Sequence, residues 1–150
     1  MPRTIRIDVS GFRDPIRAEL DDAGPTGLAD EIWDDLATPL KMWTSHTSST
    51  GDWYTGRGRP DPRPHAVGTQ AAPLGRSVLM SSLIQGSIVY VGHRALGFAY
   101  GPDITEPLPT TGPVIAAAAD LDVFYRAGRH VCDSHFRTHE LVTLTIARSG

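Results

Sequence analysis

Cysteine is nearly absent from this chain. Cys132 stands alone among 150 residues, so no disulfide can form within the chain and no cysteine-based zinc knuckle can be assembled. Lysine is as scarce: Lys41 is the only one, and nearly all positive charge is arginine, a usage that suits a GC-rich genome and says little about mechanism. The formal net charge is -3, which argues against a nucleic-acid binder, since such proteins concentrate positive charge facing phosphates. No run approaches the ~20 apolar residues of a membrane span. The opening MPRTIRIDVSGFRD also lacks the apolar core of a signal peptide, so a cytoplasmic protein without a membrane is expected. What is present is ordinary for a globular fold: 40% hydrophobic and 21% charged residues, at a length that suits one domain over 1–150.

The hydrophobic pattern has mostly a period of two. Residues 4–9 (TIRIDV) alternate strictly, with Ile5, Ile7 and Val9 on one face, and 16–20 (IRAEL) resume the alternation after the turn SGFRDP. The pair reads as a hairpin. The period then changes: Leu28, Ile32, Trp33 and Leu36 fall on one helical stripe within 25–36, and Pro39 ends the element. Asp30, Glu31, Asp34 and Asp35 lie off that stripe and read as a solvated face rather than a metal site. Residues 41–55 read as two short strands around a Ser/Thr/Gly turn. A Gly/Pro/Arg-rich insertion at about 56–76 follows, either a lid over a pocket or a disordered segment, with Arg57, Arg59 and Arg63 as a local positive patch. Strand-like runs recur at 77–80, 87–91, 96–100, 114–119 and 141–147, with Gly92-His93-Arg94 as a tight connection and His65 and His93 expected in solvent. Residues 120–127 read as a short helix with Gly128 as its stop. Many short strands with one early and one late helix describe a mainly β chain: a closed or partly open barrel with helical plugs.

Four stretches, in this order, resemble the cyclophilin-like fold, in particular the small bacterial cyclophilin-like proteins: AELDDAGPTGLADEIWDDLATPL (18–40), GDWY (51–54), GSIVYVGHRALGFAYGP (86–102) and VIAAAADLDVFYRAG (114–128). The resemblance implies a cyclophilin-like β-barrel but no enzyme class. Prolyl isomerases of that fold use an arginine followed by Phe-X-X-Gln and a Gly-rich turn. The nearest stretch here, LMSSLIQG (79–86), keeps Gln85 and Gly86 without the arginine or phenylalanine. ATP-dependent hydrolases share the fold, yet the chain has no phosphate-cradling GxxxxGK[ST].

Six histidines are the natural place to look for proton transfer. In HVCDSHFRTHE (130–140), strand alternation would put Asp133, His135, Arg137 and His139 on one side. Three readings compete there: an acid–base site with His135 as shuttle, a metal site with His135 and His139, and an exposed edge strand whose charges discourage aggregation. His46 precedes the GDWY turn, near Trp43, Trp53 and Tyr54, where an imidazole beside aromatic walls would suit a pocket. The candidate catalytic residues are therefore His46, His135 and Tyr54. Candidate binding residues are Trp43, Trp53, Tyr90 and Tyr100 as walls, with Arg57 or Arg137 as an anion clamp. No metal or cofactor is called for. The expected function is proton-transfer chemistry (isomerisation, cyclisation, elimination or hydrolysis) on a small organic molecule. A non-catalytic ligand-binding or accessory subunit is the alternative, a weak prolyl isomerase the third, and a homodimer is left open.

Overall fold

The alternation read at the start of the chain becomes β1 (Thr4–Val9), whose Ile5, Ile7 and Val9 are buried, and β2 (Ile16–Leu20), with Ile16, Ala18 and Leu20 buried. These come from a computed structural model that describes residues 2–21, 27–59 and 78–149. The remaining elements are α1 (Leu28–Asp35), β3 (Leu40–His46), β4 (Gly51–Gly58), β5 (Ser87–Gly92), β6 (Ala95–Ile104), β7 (Val114–Ala118), α2 (Leu121–Asp133) and β8 (Thr143–Ser149). The eight strands close into one antiparallel barrel in the order β1-β2-β7-β5-β6-β4-β3-β8. The mainly β barrel with an early and a late helix is thus borne out, and it is closed.

Register explains why closure buries the right face. β8 lies between β1 and β3, with Ile7 opposite Ile146 and Val9 opposite Leu144. Because side chains alternate across a strand, one correct pair sets all the others. Ile5, Ile7, Ile16, Met42, Tyr54, Phe98, Leu144 and Ile146 are fully buried and fill the middle of the barrel. Each such apolar side chain contributes about 1.5–3 kcal/mol relative to exposure. Gly56 adds no side chain to this layer, and Met42 and Leu144 occupy the space beside it.

A second apolar layer covers one outer face. Trp53, Val89, Ala99 and Ile104 pack there with Met80, Leu83, Val91 and Val114. Gly97 is required under the indole: a Cβ at that position would lie 2.2 Å from Trp53 Cη2. This layer explains why 78–80, the described part of the run at 77–80, is not a strand as its sequence suggested. Leu79 makes a single bridge to Pro109, and the chain then turns through Met80–Ser82 to bring Met80 and Leu83 onto Trp53.

Helices stopper the two ends. α1 buries Leu28 and Ile32, with Leu36 just beyond it, and its acidic residues stay off the core face. The Asp120 side chain caps α2 by accepting from the Asp122 and Val123 N–H groups, and the helix buries Phe124, Ala127, Gly128 and Val131. Gly128 does not stop the helix. It lies where a Cβ would come within 2.0 Å of the Tyr100 ring, so glycine permits close packing of helix on sheet. Residues 130–140 are accordingly not a strand: α2 runs to Asp133, and a π-helical turn, Ser134–Thr138, follows and ends at His139 with φ 58°. His93 is not in open water either; its side chain is 14% exposed and lies 4.0 Å from Asp35. β4 takes up the first part of the expected insertion, through Gly58, while 60–76, including Arg63 and His65, lies outside the described residues. No helix among the described residues is long and apolar enough to cross a membrane.

Candidate functional site

The α2 end of the barrel holds polar groups inside the wall. His46 is the last residue of β3 and shares the inner face with Met42 and Thr44, so its imidazole enters the barrel end and is only 6% exposed. The chain then turns sharply, with the Thr50 hydroxyl accepting from the Thr47 hydroxyl at 2.9 Å. That turn leaves the Thr47 carbonyl 2.7 Å from His46 Nδ1. A carbonyl only accepts, so Nδ1 carries the proton and Nε2 of the neutral ring is the acceptor. The Tyr100 hydroxyl donates to it at 2.7 Å. Burial, above all, holds the His46 pKa below its ordinary value; the bond to Thr47 opposes this, and the charges of His135 and Arg129 reinforce it. Burial likewise raises Tyr100, so its phenol stays protonated and donates.

Tyr54 stands opposite His46 in the β3–β4 register, stacked on Phe98 with ring centroids 4.6 Å apart. It is fully buried, its hydroxyl has no hydrogen-bond partner among the described residues, and burial raises its pKa. The π-helical turn closes the site from above. The Phe136 ring meets His46 edge-on at 5.5 Å, and His135 packs edge-on against Phe136 at 4.7 Å. A cleft of about 240 Å³ opens beside this turn, lined by Thr44, Val131, Ser134, His135, His139 and Val142 among others. His46 and His135 are therefore brought to one end of the barrel, separated by one phenylalanine ring.

Other expected site residues lie elsewhere. Trp43 is 37% exposed on the outer face of β3, and Trp53 belongs to the outer apolar layer; both have the opposite strand parity from His46 and Tyr54, so neither walls the site. Arg57 shares that outer parity on β4 and is exposed. Tyr90 is buried at the α1 end, where burial first and then Glu31 and Asp35 push its phenol up to about 12. Arg137 is exposed and paired with Asp133 one turn earlier. Of the expected walls only Tyr100 reaches the site, and there it is the hydrogen-bond donor to His46.

Reading 130–140 as a strand concealed the residues that replace them. Tyr125, Arg129, Cys132 and Phe136 recur at helical spacing, on α2 and the turn after it. The Tyr125 ring lies 6.0 Å from that of Tyr100, and Arg129, one turn further along α2 and exposed, acts on His46 through its charge. Asp52 accepts from the Asp103 N–H at 3.2 Å and lies against Gly101 and Tyr125. Among the described residues no three His, Cys, Asp or Glu side chains converge as metal ligands would. Chemically, the end offers one proton acceptor of fixed tautomer, two protonated phenols, a guanidinium and a carboxylate.

No family model matches the sequence, and no curated protein does. The fold is similar to that of McbB, solved in complex with tryptophan: the TM-score is 0.80 and the identity 22%. The match covers 97% of this chain and 45% of McbB, so this chain spans less than half the length of that protein. At such an identity the likeness shows the barrel fold alone.

Proposed function

We propose that the α2 end of the barrel binds a compact organic molecule and moves a proton on it. The Tyr100–His46 pair is the reacting unit. As the bound molecule gives a proton to the Tyr100 oxygen, the Tyr100 proton passes to His46 Nε2; phenol remains phenol and imidazole becomes imidazolium. The observation that carries this reading is the buried 2.7 Å bond between a phenol that stays protonated and an imidazole whose acceptor nitrogen is fixed by Thr47. Isomerisation, cyclisation, elimination and hydrolysis all use such a step. The proton returns from His46 through Tyr100 to the bound molecule, while His135, across the Phe136 ring, lines the adjacent cleft as a second ionisable group. Kinship with the small cyclophilin-like proteins is part of the same proposal, and tryptophan, which McbB binds, is the first ligand to try.

A ligand-binding module without catalysis is the second reading, and the cover of Phe136 over His46 favours it. Deuterium wash-in separates the two. Tryptophan and a panel of small keto and hydroxy acids are incubated with the protein in D₂O, and loss of carbon-bound proton signals is followed by NMR. Exchange in the wild type that falls about 100-fold or more in His46→Ala supports proton transfer. Binding without exchange leaves the module reading. Exchange of equal rate in His46→Ala and His135→Ala removes the proposed mechanism.

A further inference from the structure

The Tyr100–His46 pair is sealed. His46 is 6% exposed, and Tyr100 and Tyr54 are wholly buried, so a molecule in solvent does not reach the bond between them while the barrel end stays as it is. Two pieces of chain do the sealing, and they are held very differently. α2 is seated on the barrel by the buried Phe124, Ala127, Gly128 and Val131, with Gly128 pressed on the Tyr100 ring. The π-helical turn after it is hardly seated at all. From His135 to Leu141 every residue is exposed, and only Ser134, where the turn leaves α2, is buried. Its polar contacts are local: Arg137 pairs with Asp133 at 3.4 Å, back on α2, and the Glu140 N–H donates to the Thr138 hydroxyl at 3.4 Å. Among the described residues no hydrogen bond joins 135–139 to a strand. The contact that covers the site is the Phe136 ring, 5.5 Å from that of His46 and itself 48% exposed.

Three features of the turn suit movement. π-helical geometry is rare, and it occurs mostly as single turns, often at functional positions. The turn ends at His139 with φ 58°, a left-handed backbone that is unfavourable for a residue with a Cβ. There is also room beside it. The cleft of about 240 Å³ is lined by Ser134 and His135 at one end of the turn and His139 at the other, with Val131, Leu141 and Val142 as its apolar wall. A cavity of about 150 Å³ holds a benzene ring, so a phenyl side chain fits in this space.

We infer that the turn Ser134–Thr138 is a lid that swings between Ser134 and His139, carrying Phe136 off His46 and into the adjacent cleft while α2 stays seated. This rests on the reading that the α2 end takes up a small molecule, and adds how that site is reached and shut. The strained backbone at His139 keeps the closed form from being locked, so the open form is a populated minor state.

The test reads access to His46 with diethyl pyrocarbonate, a small electrophile that acylates neutral imidazole. Labelling of each histidine is followed by peptide mass spectrometry at one fixed pH, with His130, bonded to the Ser10 carbonyl, as the internal reference. Wild-type His46 should be labelled slowly, at a rate scaled down by the open fraction, and that rate should stay flat in urea up to the unfolding transition. Phe136→Ala should raise it at least about tenfold, the open form being the minor one. His139→Gly, His139→Ala and His139→Val all delete the imidazole but make the left-handed backbone progressively costlier. With Phe136 still present, His46 labelling should rise in that order, by about fivefold from Gly to Ala. Where His139→Val lowers the urea midpoint, the Gly–Ala pair decides. Labelling that appears only with global unfolding, or equal rates in His139→Gly and His139→Ala, makes Phe136 a fixed cover and overturns the lid. No ligand enters this experiment, so an absence of exchange in D₂O leaves its result standing, and a fixed cover is detected whether or not exchange occurs.

Discussion

The two ends of the barrel are stoppered by amphipathic helices, yet they pair their polar groups differently. At the α1 end the charged groups are partly buried and set against one another. Asp35 meets His93 at 4.0 Å and Arg94 at 3.7 Å, above a floor of Ile5, Ile32, Leu36, Met42 and Ile146 that leaves a void of only about 20 Å³. At the α2 end the polar groups are inside: His46 and Tyr100 are buried and spend their hydrogen bonds on each other and on Thr47. Burying such groups costs free energy that apolar packing would not incur. The α1 end is arranged to hold the fold shut, and the α2 end keeps costly polar chemistry where apolar residues would have held it shut as well.

The sharpest way to break that contrast is Gly128→Ala. A methyl group 2.0 Å from the Tyr100 ring forces the helix or the ring to move, with an expected loss of about 3 kcal/mol or more in urea unfolding. The Tyr100–His46 bond should be lost with it, seen as a shifted His46 imidazole signal. A loss under about 1 kcal/mol would mean that α2 is not seated as described.

Ile32→Ala probes the other end. Removing this buried side chain should cost about 2 kcal/mol, the low end for such truncations because the site is near the surface. Binding of any α2-end ligand should be unchanged, since the filled middle of the barrel lies between the two. Weaker ligand binding in this variant would merge the two ends into one unit.

The smallest expected effect is a pH dependence. The His46 pKa is depressed in the folded protein, chiefly by burial. Above its ordinary value of about 6.5 both folded and unfolded chains hold it neutral, and its contribution to stability is complete. As pH falls below that value the unfolded chain takes up the proton first, and stability declines until the folded-state pKa is passed. Urea midpoints at pH 7.5 and 5.5 should therefore differ more for the wild type than for His46→Asn. Equal differences in the two proteins would remove His46 as the titrating group.

Where one face of an element is core and the other is not, the sequence was readable. β1 and β2 have the bounds their alternation predicts, and α1 carries Leu28, Ile32 and Leu36 inward as its stripe implies. The barrel follows from such segments. Legibility failed at Gly128, where glycine reads equally as a helix terminator and as a place where two backbones approach closely. Choosing the terminator made 130–140 look like a strand and hid Arg129, Cys132 and Phe136. It failed again at Trp43 and Trp53: an indole near a histidine in sequence is on the opposite face when the spacing is odd, and here both spacings from His46 are odd. His46 and Tyr54 were legible because they fall on the inner parity of β3 and β4. Their link to Tyr100 was not, because a bond between residues 54 apart depends on the closure of the barrel.

The packed midsection has a consequence for how this chain can change. With Met42, Phe98 and Leu144 wedged across the axis, and Gly56 leaving just the space that Met42 and Leu144 fill, the barrel is not a pipe but two shallow bowls set base to base. Whatever is carved into one bowl is insulated from the other. A lineage can therefore trade ligands at the α2 face while the opposite face, doing nothing but staying shut, carries the burden of remaining folded.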